Sequence, residues 1–442
     1  MKIAVSSGKG GTGKTFIATN LAVLAADRGR EVTYLDCDVE APNGHLFLKP
    51  IMKSTESMTV RAPVLFDQDK CTACGTCVTA CYYNALALIK NKILFFPELC
   101  HACGACAVSC PVDAVIEGDL KIGELKHGIS QGIHVHYGVL KTATGGMSPR
   151  IIHALKDFAG QDITILDSPP GTACSTVETV TDADLCVLVT DPTPFALHDL
   201  KLSVNMCREI GQEPAIVVNR AGLDDRDLQE YCKKAHLDII GSIPDAREIA
   251  EVYSVGDVLI SKRPAYRPYF EEVLDAALAL AGNPRRAQKE FIMPLFAPGG
   301  ERARASKPDP TAPRPKEIVV ISGKGGTGKT SISACFAQLA QDSVAADCDV
   351  DAADLALVLE PKVEESGDFV GGVSVKIDPK ECTGCGKCIE VCRFNAIRRT
   401  ENGKYEILPN LCEGCGACEL VCDDLAISSE DVVNGKWYTS TT

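Results

Sequence analysis

Sixteen of the chain's 23 cysteines fall into four short runs with regular spacing. Each run has the form C-x₂-C-x₂-C-x₃-C, as in "CTACGTCVTAC". Thiolates at such spacing bind metal, either as iron–sulfur clusters or as zinc held by CxxC pairs. Zinc sites seldom need two interleaved sets of thiolates, so the spacing favours iron–sulfur clusters. The sixteen residues are Cys71, Cys74, Cys77, Cys81, Cys100, Cys103, Cys106, Cys110, Cys382, Cys385, Cys388, Cys392, Cys412, Cys415, Cys418 and Cys422.

A second group of residues has the spacing of a phosphate-binding loop. The stretch "GKGGTGKT" fits G-x-x-x-x-G-K-[ST], between a strand-like run and a helical pattern. Its glycines let backbone N–H groups point at phosphate oxygens. Lys14 is expected to reach the β- and γ-phosphates, and the Thr15 hydroxyl is expected to bind Mg²⁺. The alternative is a chance glycine-rich turn, which the context and a second occurrence disfavour. The two occurrences are Gly8, Lys9, Gly10, Gly11, Thr12, Gly13, Lys14, Thr15 and Gly323, Lys324, Gly325, Gly326, Thr327, Gly328, Lys329, Thr330.

The phosphate loop, the "DCD" segment that follows it and both cysteine runs all occur twice, at a nearly constant offset. This pattern indicates duplication of a whole domain rather than a short repeat. The predicted organisation is a nucleotide domain at 1–63 and 119–282, a cysteine-rich insert at 64–118, a Pro-, Arg- and Gly-rich linker at 283–316, a partial second nucleotide domain at 317–374, a second insert at 375–430 and a truncated end at 431–442.

Short apolar runs alternate with helical patterns in the first copy. The strand-like runs are "KIAVSS", "EVTYLD", "DITILD", "DLCVLVT", "PAIVVN" and "DIIGSI", and the helix-like stretches between them include "GKTFIATNLAVLAADRG" and "SPRIIHALKDFAG". This alternation predicts an α/β fold with a mainly parallel sheet covered by helices on both faces. Together with the phosphate loop it predicts a P-loop NTPase that carries inserted α+β domains.

The cysteine spacing resembles that of bacterial two-cluster ferredoxins, in which the fourth cysteine of each run binds the other cluster. The resemblance implies two [4Fe-4S] clusters per insert and four per chain. In the first insert the expected ligand sets are Cys71, Cys74, Cys77, Cys110 and Cys100, Cys103, Cys106, Cys81; in the second they are Cys382, Cys385, Cys388, Cys422 and Cys412, Cys415, Cys418, Cys392. Tyr82 and Arg393 stand where a proline often follows the last cysteine, and we expect them to alter local packing more than ligation.

The extra lysine in the phosphate loop, Lys9, resembles the signature of the deviant Walker A ATPases of the MinD/ParA/Mrp superfamily, which includes the nitrogenase iron protein. The resemblance implies that Lys9 crosses an interface to a partner's ATP, with Lys324 as its counterpart in the second copy. It covers nearly all of the first copy. Partners are therefore expected to meet in a nucleotide-dependent dimer or an intrachain pseudo-dimer.

Further segments resemble the switches of this superfamily. In "LDCD", Asp38 is expected to orient the attacking water and Asp36 to lie at the nucleotide site, and Asp349 is the second-copy residue matching Asp38. In "ILDSPPG", Asp167 is expected near Mg²⁺ and Gly171 near the γ-phosphate. "VVNR" makes Asn219 a candidate adenine contact. Any of these aspartates alone is more often a helix cap or a surface charge.

The net charge and the apolar content of the chain limit the classes of partner that are expected. The net charge of −14 disfavours nucleic acid and anionic membranes, because both attract basic surfaces. No long apolar run predicts a membrane span, and the start of the chain leads directly into the fold, so a cytoplasmic protein is expected. The expected partner is a redox or iron–sulfur protein.

The remaining seven cysteines are mostly expected to be small core residues. This expectation covers Cys37, Cys186, Cys207, Cys232, Cys335 and Cys348. Cys174 lies three residues after "PPG" and is a candidate for a redox or bridging role where two copies meet.

Three functions compete. The first is an ATPase, Mg²⁺-dependent and slow without a partner, that couples nucleotide-driven conformational change to electron transfer through its clusters. The second is an iron–sulfur cluster assembly or maturation ATPase of the Mrp type; those proteins hold a labile cluster on a CxxC pair near the chain end, whereas the matching region here has only Cys232. The third, a ParA-like positioning protein, is disfavoured by the acidic charge.

Overall fold

The computed structural model of the chain describes residues 1–141, 146–222, 224–285, 287, 316–322, 327–340, 342–350 and 353–441. Strands of the first copy are β1 (Lys2–Ser6), β2 (Val32–Asp36), β3 (Ile51–Phe66), β4 (Leu86–Ile89), β5 (Lys92–Phe95), β6 (Val115–Ser130), β7 (Ile133–Leu140), β8 (Ile163–Asp167), β9 (Leu185–Thr190), β10 (Ala215–Ala221) and β11 (Ile239–Pro244). Its helices are α1 (Lys14–Asp27), α2 (Gly44–Leu48), α3 (Thr76–Thr79), α4 (Ala105–Val108), α5 (Ser148–Lys156), α6 (Cys174–Val180), α7 (Pro194–Glu209), α8 (Arg226–Lys234), α9 (Arg247–Ser254), α10 (Leu259–Lys262) and α11 (Arg267–Ala281).

Nine of these strands form one sheet in the order β11-β10-β9-β1-β8-β2-β7-β6-β3. Neighbours from β11 to β7 are parallel, whereas β6 and β3 run antiparallel at one edge. The central strands are apolar and fully buried because helices cover both faces. Ile3 and Val5 of β1 pack with α1 and α11 on one face, while Ala4 faces α5 and α7 on the other. The expected α/β fold with a mainly parallel sheet is confirmed.

The cysteine-rich insert extends from the edge of this sheet on a two-stranded arm. Strands β3 and β6 pair over their whole length, from Ile51 with Ile129 to Phe66 with Val115. The β4–β5 hairpin and the short helices α3 and α4 lie at the end of the arm. The predicted insert boundaries at residues 64 and 118 fall inside strands β3 and β6 of the arm. The same two strands carry apolar residues of the insert and extend the main sheet.

The second copy repeats the arm and the insert. It consists of α12 (Lys329–Leu339), α13 (Leu355–Leu359), β12 (Lys362–Ile377), α14 (Lys387–Val391), β13 (Ile397–Arg399), β14 (Tyr405–Ile407), α15 (Ala417–Leu420) and β15 (Ile427–Thr441). Strands β12 and β15 pair antiparallel, as β3 and β6 do. Most of the predicted end segment, residues 431–441, is therefore the returning strand of an arm.

The nucleotide part of the second copy differs from the first. The segments 316–322 and 342–350 correspond to β1 and β2, yet neither is assigned as a strand. Their apolar side chains are exposed, and Val344 reaches 97%. A parallel strand is stable only between hydrogen-bonded neighbours, and the described residues supply none here. Most of the predicted linker, residues 288–315, lies outside the described residues.

The two inserts pack against each other with approximate twofold symmetry. A methyl group added to Gly104 would lie 2.7 Å from the Arg393 guanidinium carbon, and one added to Gly416 would lie 3.0 Å from the Tyr82 ring. Tyr82 and Arg393 occupy the same place in the repeat, as do Gly104 and Gly416. The two residues that replace the usual proline thus form the contact between the copies. No helix in the described part of the chain is long and apolar enough to cross a membrane.

Candidate functional site

The first phosphate loop lies between β1 and α1, supported by the end of β10. Gly13 has a φ of 102°, and a methyl group there would lie 2.4 Å from Asn219 Nδ2. Asn219 Nδ2 donates to Thr12 O at 2.8 Å, and Arg220 Nη2 donates to Gly11 O at 3.1 Å. Only glycine fits at position 13. Asn219, a candidate adenine contact, is bonded to the phosphate loop in this structure.

Lys14 and Thr15 begin helix α1, and the Lys14 side chain is buried. The N–H groups at the start of a helix favour an anion, so this position suits a phosphate. Gly171 of the second switch donates its N–H to Ser7 O at 3.0 Å, just before the loop. The residues expected to bind phosphate and to sense it therefore meet at one end of the sheet.

Two buried carboxylates lie beside the loop, at the ends of neighbouring strands. Asp36 of β2 and Asp167 of β8 are register partners. Asp36 accepts the N–H groups of Asn43 and Gly44 at 2.9 and 2.8 Å, and Tyr34 Oη donates to Asp167 Oδ2 at 2.8 Å. Burial and the charge of Asp167 raise the pKa of Asp36 well above its usual range. A divalent cation would offset this cost, so the pair fits the oxygen ligands that Mg²⁺ prefers.

Asp38 follows in the turn after β2 and is only partly buried. Its N–H donates to Asp36 Oδ1 at 3.2 Å, and its carbonyl accepts the N–H of Ala41 at 3.0 Å. The first switch is thus a short hydrogen-bonded turn anchored on Asp36. Its position beside the loop is compatible with the expected role of orienting water.

In the first insert the cysteines surround two separate cavities. One is lined by Cys71, Cys74, Cys77 and Cys110, and the other by Cys81, Cys100, Cys103 and Cys106. These are the crossed sets implied by the ferredoxin spacing. The residue before the second cysteine of each run adopts a left-handed backbone, with φ of 55° at Ala73 and 52° at Ala102. The N–H of Ala102 then donates to Cys100 Sγ at 3.3 Å.

The second insert repeats this arrangement. Cys382, Cys385, Cys388 and Cys422 line one cavity, and Cys418 lies near Cys392 and Cys412. Burial and neighbouring thiolates raise the pKa of Cys106 and of Cys418 to about 12. Positive iron would reverse this shift. Among the described residues no group of three or more His, Cys, Asp or Glu side chains is close enough to bind a single metal ion.

Residues 3–260 match the family model of the CobQ/CobB/MinD/ParA nucleotide binding domain. The chain belongs to this family. Residues 375–398 match the model of the 4Fe-4S binding domain. The chain is therefore a MinD/ParA/Mrp-type P-loop protein with a 4Fe-4S ferredoxin domain, as its motifs predicted.

Several known proteins are similar to this MinD/ParA-family chain. An uncharacterized protein of Methanocaldococcus jannaschii is 34% identical over 229 residues, which are 51% of this chain and 80% of that protein. An iron-sulfur cluster carrier protein of Aquifex aeolicus is 25% identical over 300 residues, covering 63% of this chain and 65% of the carrier. The MinD protein of Pyrococcus horikoshii, solved with Mg-ADP, has a TM-score of 0.42 and 19% identity, covering 64% and 97% of the two chains.

The signature lysine of this family points from the first copy to the second. The Lys9 ammonium group pairs with the carboxylate of Asp354, which is buried. In the second loop, Lys329 and Thr330 begin α12 behind Gly328, whose φ is 94°. Asp349 N–H donates to Asp347 Oδ1 at 3.1 Å, matching the bond of Asp38 to Asp36. The expected residues Gly323, Lys324, Gly325 and Gly326 lie outside the described residues.

Sequence reasoning missed one residue of this site, Asp199 of α7. A methyl group on Gly8 would lie 2.3 Å from the Asp199 carbonyl oxygen, so the helix touches the phosphate loop. Neither carboxylate oxygen of Asp199 has a hydrogen-bond partner among the described residues, and its side chain is buried. Burial raises its pKa to about 6, opposed by Lys9 and reinforced by Asp349. The available signal was an aspartate on the otherwise apolar face of α7.

The cysteine cavities nearest the centre of the molecule face each other across the two copies. The thiols of Cys103 and Cys415 are in hydrogen-bonding contact, which lowers the pKa of Cys103 to about 6. The Tyr83 and His101 rings stack with centroids 3.7 Å apart, and Tyr83 Oη donates to Glu413 O at 2.9 Å. We call the sites of Cys103 and Cys415 the inner sites, and those of Cys74 and Cys385 the outer sites.

The other cysteines divide by position. Cys37, Cys186, Cys207 and Cys232 are buried, as expected, whereas Cys335 and Cys348 are exposed and the expectation for them was wrong. Both exposed residues lie in the nucleotide part of the second copy, where the covering sheet is absent from the described residues. Cys174 is exposed and lines a cleft of about 1130 Å³ between the copies, together with Cys412 of the second inner site.

Proposed function

We propose that this protein binds and hydrolyses ATP to control electron transfer through its [4Fe-4S] clusters to a partner protein. One observation carries the proposal: the two copies contact each other both at the nucleotide end, through Lys9, and at the cluster end, through Cys103 against Cys415. Any change in how the copies meet at one end alters the geometry at the other.

The position of the inner sites supports electron transfer within the chain. Their ligand loops touch, so clusters held by them would be neighbours, and the crossed cysteines would join each inner site to an outer site. Clusters held there would supply one-electron transfer, accepting an electron from a low-potential donor protein and passing it to the acceptor. The side chains of Cys74 and Cys385 are exposed, which opens the outer sites to such partners.

The connection to the nucleotide site is continuous hydrogen-bonded sheet. Asp36 ends β2, β2 pairs with β7, β7 pairs with β6, and β6 with β3 forms the arm of the first insert. When triphosphate and Mg²⁺ are bound, they supply the negative charge and the cation that the loop and the carboxylate pair accept. Lys14 would then balance the γ-phosphate charge in the first loop, Lys9 would reach a nucleotide across the interface, and Asp38 would position the attacking water.

The alternative function is delivery of iron–sulfur clusters. It is favoured by the relatives, since proteins of Aquifex aeolicus and Saccharolobus solfataricus similar to this chain are named iron-sulfur cluster carrier proteins. Against it, each cysteine cavity offers four thiols, which hold a cluster firmly. A carrier releases its cluster, so retention after turnover distinguishes the two functions.

The test is made on anaerobically purified protein with its clusters bound. The EPR spectra and midpoint potentials of the reduced clusters are recorded without nucleotide, with ADP and with ATP. A nucleotide-dependent shift with unchanged iron content supports electron transfer. Unchanged potentials together with iron and sulfide transfer to an apo-ferredoxin would replace the proposal with the carrier function.

A further inference from the structure

Helix α5 lies between the two switches of the nucleotide site. At its start, Ser148 Oγ donates to Glu40 Oε1 at 2.9 Å, in the turn that follows Asp38. At its end, Lys156 Nζ donates to the carbonyl oxygens of Glu178 and Thr181, both at 2.8 Å. Glu178 belongs to α6, which directly follows the second switch. One short helix is therefore bonded to the turn after the first switch and to the end of the helix that follows the second switch.

The same helix also contacts the first inner site. Arg150 Nη2 donates to His101 O at 3.1 Å and reaches Ala102 O at 3.5 Å, in the loop between Cys100 and Cys103. Just before the helix, a methyl group added to Gly146 would lie 2.3 Å from the His101 ring. The backbone leading into α5 is thus pressed against the ligand loop.

Arg150 reaches the second inner site as well. Its guanidinium carbon lies 4.7 Å from the centroid of the Phe394 ring, and Phe394 is two residues after Cys392. Such a distance is a cation–π contact. The Arg150 guanidinium therefore lies between the two facing inner sites, near that of Arg393, whose Nη1 lies 3.4 Å from Ala102 O.

The packing between these points has little free space. Val39, Met147 and Ile151, each no more than 1% exposed, belong to one apolar cluster that also includes Ala102 and Cys100. Close-packed cores transmit displacement because their side chains cannot be compressed. Because α5 is tightly packed, a displacement of its start through the Ser148–Glu40 bond must carry Arg150 with it.

We propose that Arg150 is the positioning residue through which nucleotide state sets the potential of the inner clusters: Glu40 moves Ser148, and α5 moves the guanidinium relative to the ligand loops. This inference rests on the proposed coupling of nucleotide to electron transfer and names its route. A nearby positive charge favours the more negative, reduced cluster, so its displacement changes the midpoint potential. The affected step is the addition of one electron to the cluster, supplied in the assay by dithionite.

Two variants distinguish the effect of the Arg150 charge from the effect of the Ser148–Glu40 bond that would move it. Arg150→Gln removes the charge and is expected to lower the midpoint potential of an inner cluster in every nucleotide state. Ser148→Ala leaves Arg150 in place but removes its link to Glu40, so the nucleotide-free potential stays as in wild type while the shift on adding ATP is lost. The matched control is Arg226→Gln, which replaces an exposed arginine at the start of α8 that pairs with Asp224, and it should change neither potential nor shift.

The measurement is an EPR-monitored redox titration of the full chain with clusters bound, repeated with ADP and with a slowly hydrolysed ATP analogue. By linkage, nucleotide affinity must differ between oxidised and reduced protein by the same factor. In wild type we expect the nucleotide affinities of the oxidised and reduced protein to differ by about 5-fold or more. In Ser148→Ala the two affinities should differ by less than about twofold. A tenfold difference in affinity corresponds to a shift of about 59 mV in the midpoint potential.

Each result decides a separate point. A wild-type shift that disappears in Ser148→Ala, with a lowered potential in Arg150→Gln, supports the inference. A wild-type shift that survives unchanged in both variants overturns the role of Arg150 while the proposed function stands. No shift in wild type overturns both.

Discussion

Substitution Arg393→Ala tests whether the two copies are held together as the structure describes. Arg393 donates to Glu117 through Nη1 and Nη2 at 2.9 and 2.7 Å, and Nη1 also donates to Arg61 O at 2.8 Å. Glu117 is only 12% exposed, so the substitution leaves a nearly buried carboxylate without this partner. Removing one member of a fully buried pair costs about 3–5 kcal/mol. Because Arg393 itself is 25% exposed, we expect about 2–3 kcal/mol here.

That loss is expected to increase the population of separated inserts by about 30- to 150-fold. The assay is hydrogen exchange of the backbone amides of residues 100–106, which lie at the contact, with spin–spin coupling between reduced inner clusters as a second readout. Both exchange protection and coupling should fall. The matched control is Arg398→Ala, whose partner Glu406 lies on the exposed β13–β14 hairpin of the same insert and not at the contact. Equal behaviour of the two variants would refute the described interface.

Two further predictions follow from the site geometry. Substitution Cys81→Ser should remove a ligand from the site of Cys100, Cys103 and Cys106, because Cys81 lines only that cavity. The site of Cys71, Cys74 and Cys77 should keep its iron. Iron analysis and EPR that show damage only at the site of Cys71, Cys74 and Cys77 would contradict crossed ligation. Asp199 has a folded-state pKa of about 6 against an ordinary 3.8, so its native form binds the proton more tightly and stability falls as pH rises from about 4 to about 6. Asp199→Asn should therefore raise the free energy of unfolding by about 1–2 kcal/mol at pH 7.5, after allowance for solvent screening, and leave it unchanged at pH 4. An equal change in melting temperature at both pH values would exclude the titration of Asp199 as the cause.

The elements that local sequence determines were predictable. The phosphate loop and the cysteine runs are short motifs whose spacing fixes their chemistry, and apolar runs such as "DLCVLVT" form buried strands wherever neighbours are available. The resemblance to the superfamily switches led us to expect Asp36 and Asp167 at the nucleotide site, and the structure makes them register partners at the ends of β2 and β8.

The contacts between distant segments were not predictable. Nothing local in "SPRIIHALK" indicates that Ser148 bonds to Glu40 or that Arg150 bonds to His101, since these contacts depend on how α5 packs. The same limit explains the second copy. Its segments 316–322 and 342–350 repeat the sequence of β1 and β2, but a strand requires hydrogen-bonded partners that the motif itself does not contain.

The arm strands illustrate an intermediate case. The insert was recognised because its cysteines interrupt the alternation of strands and helices, yet β3 and β6 extend the main sheet without a break. Sequence alone located the insert but could not reveal that its arm is part of the nucleotide domain's sheet. That continuity links the nucleotide site to the cysteine cavities.

The central claim is that the cluster sites respond to the phosphate loop, and one comparison tests it most directly. The midpoint potentials of the clusters are measured with and without ATP in wild-type protein and in Lys14→Ala, whose buried lysine lies at the start of α1. The account predicts an ATP-dependent shift in wild type and none in Lys14→Ala, with equal iron content in both. Identical potentials in the two proteins under every nucleotide condition would contradict it.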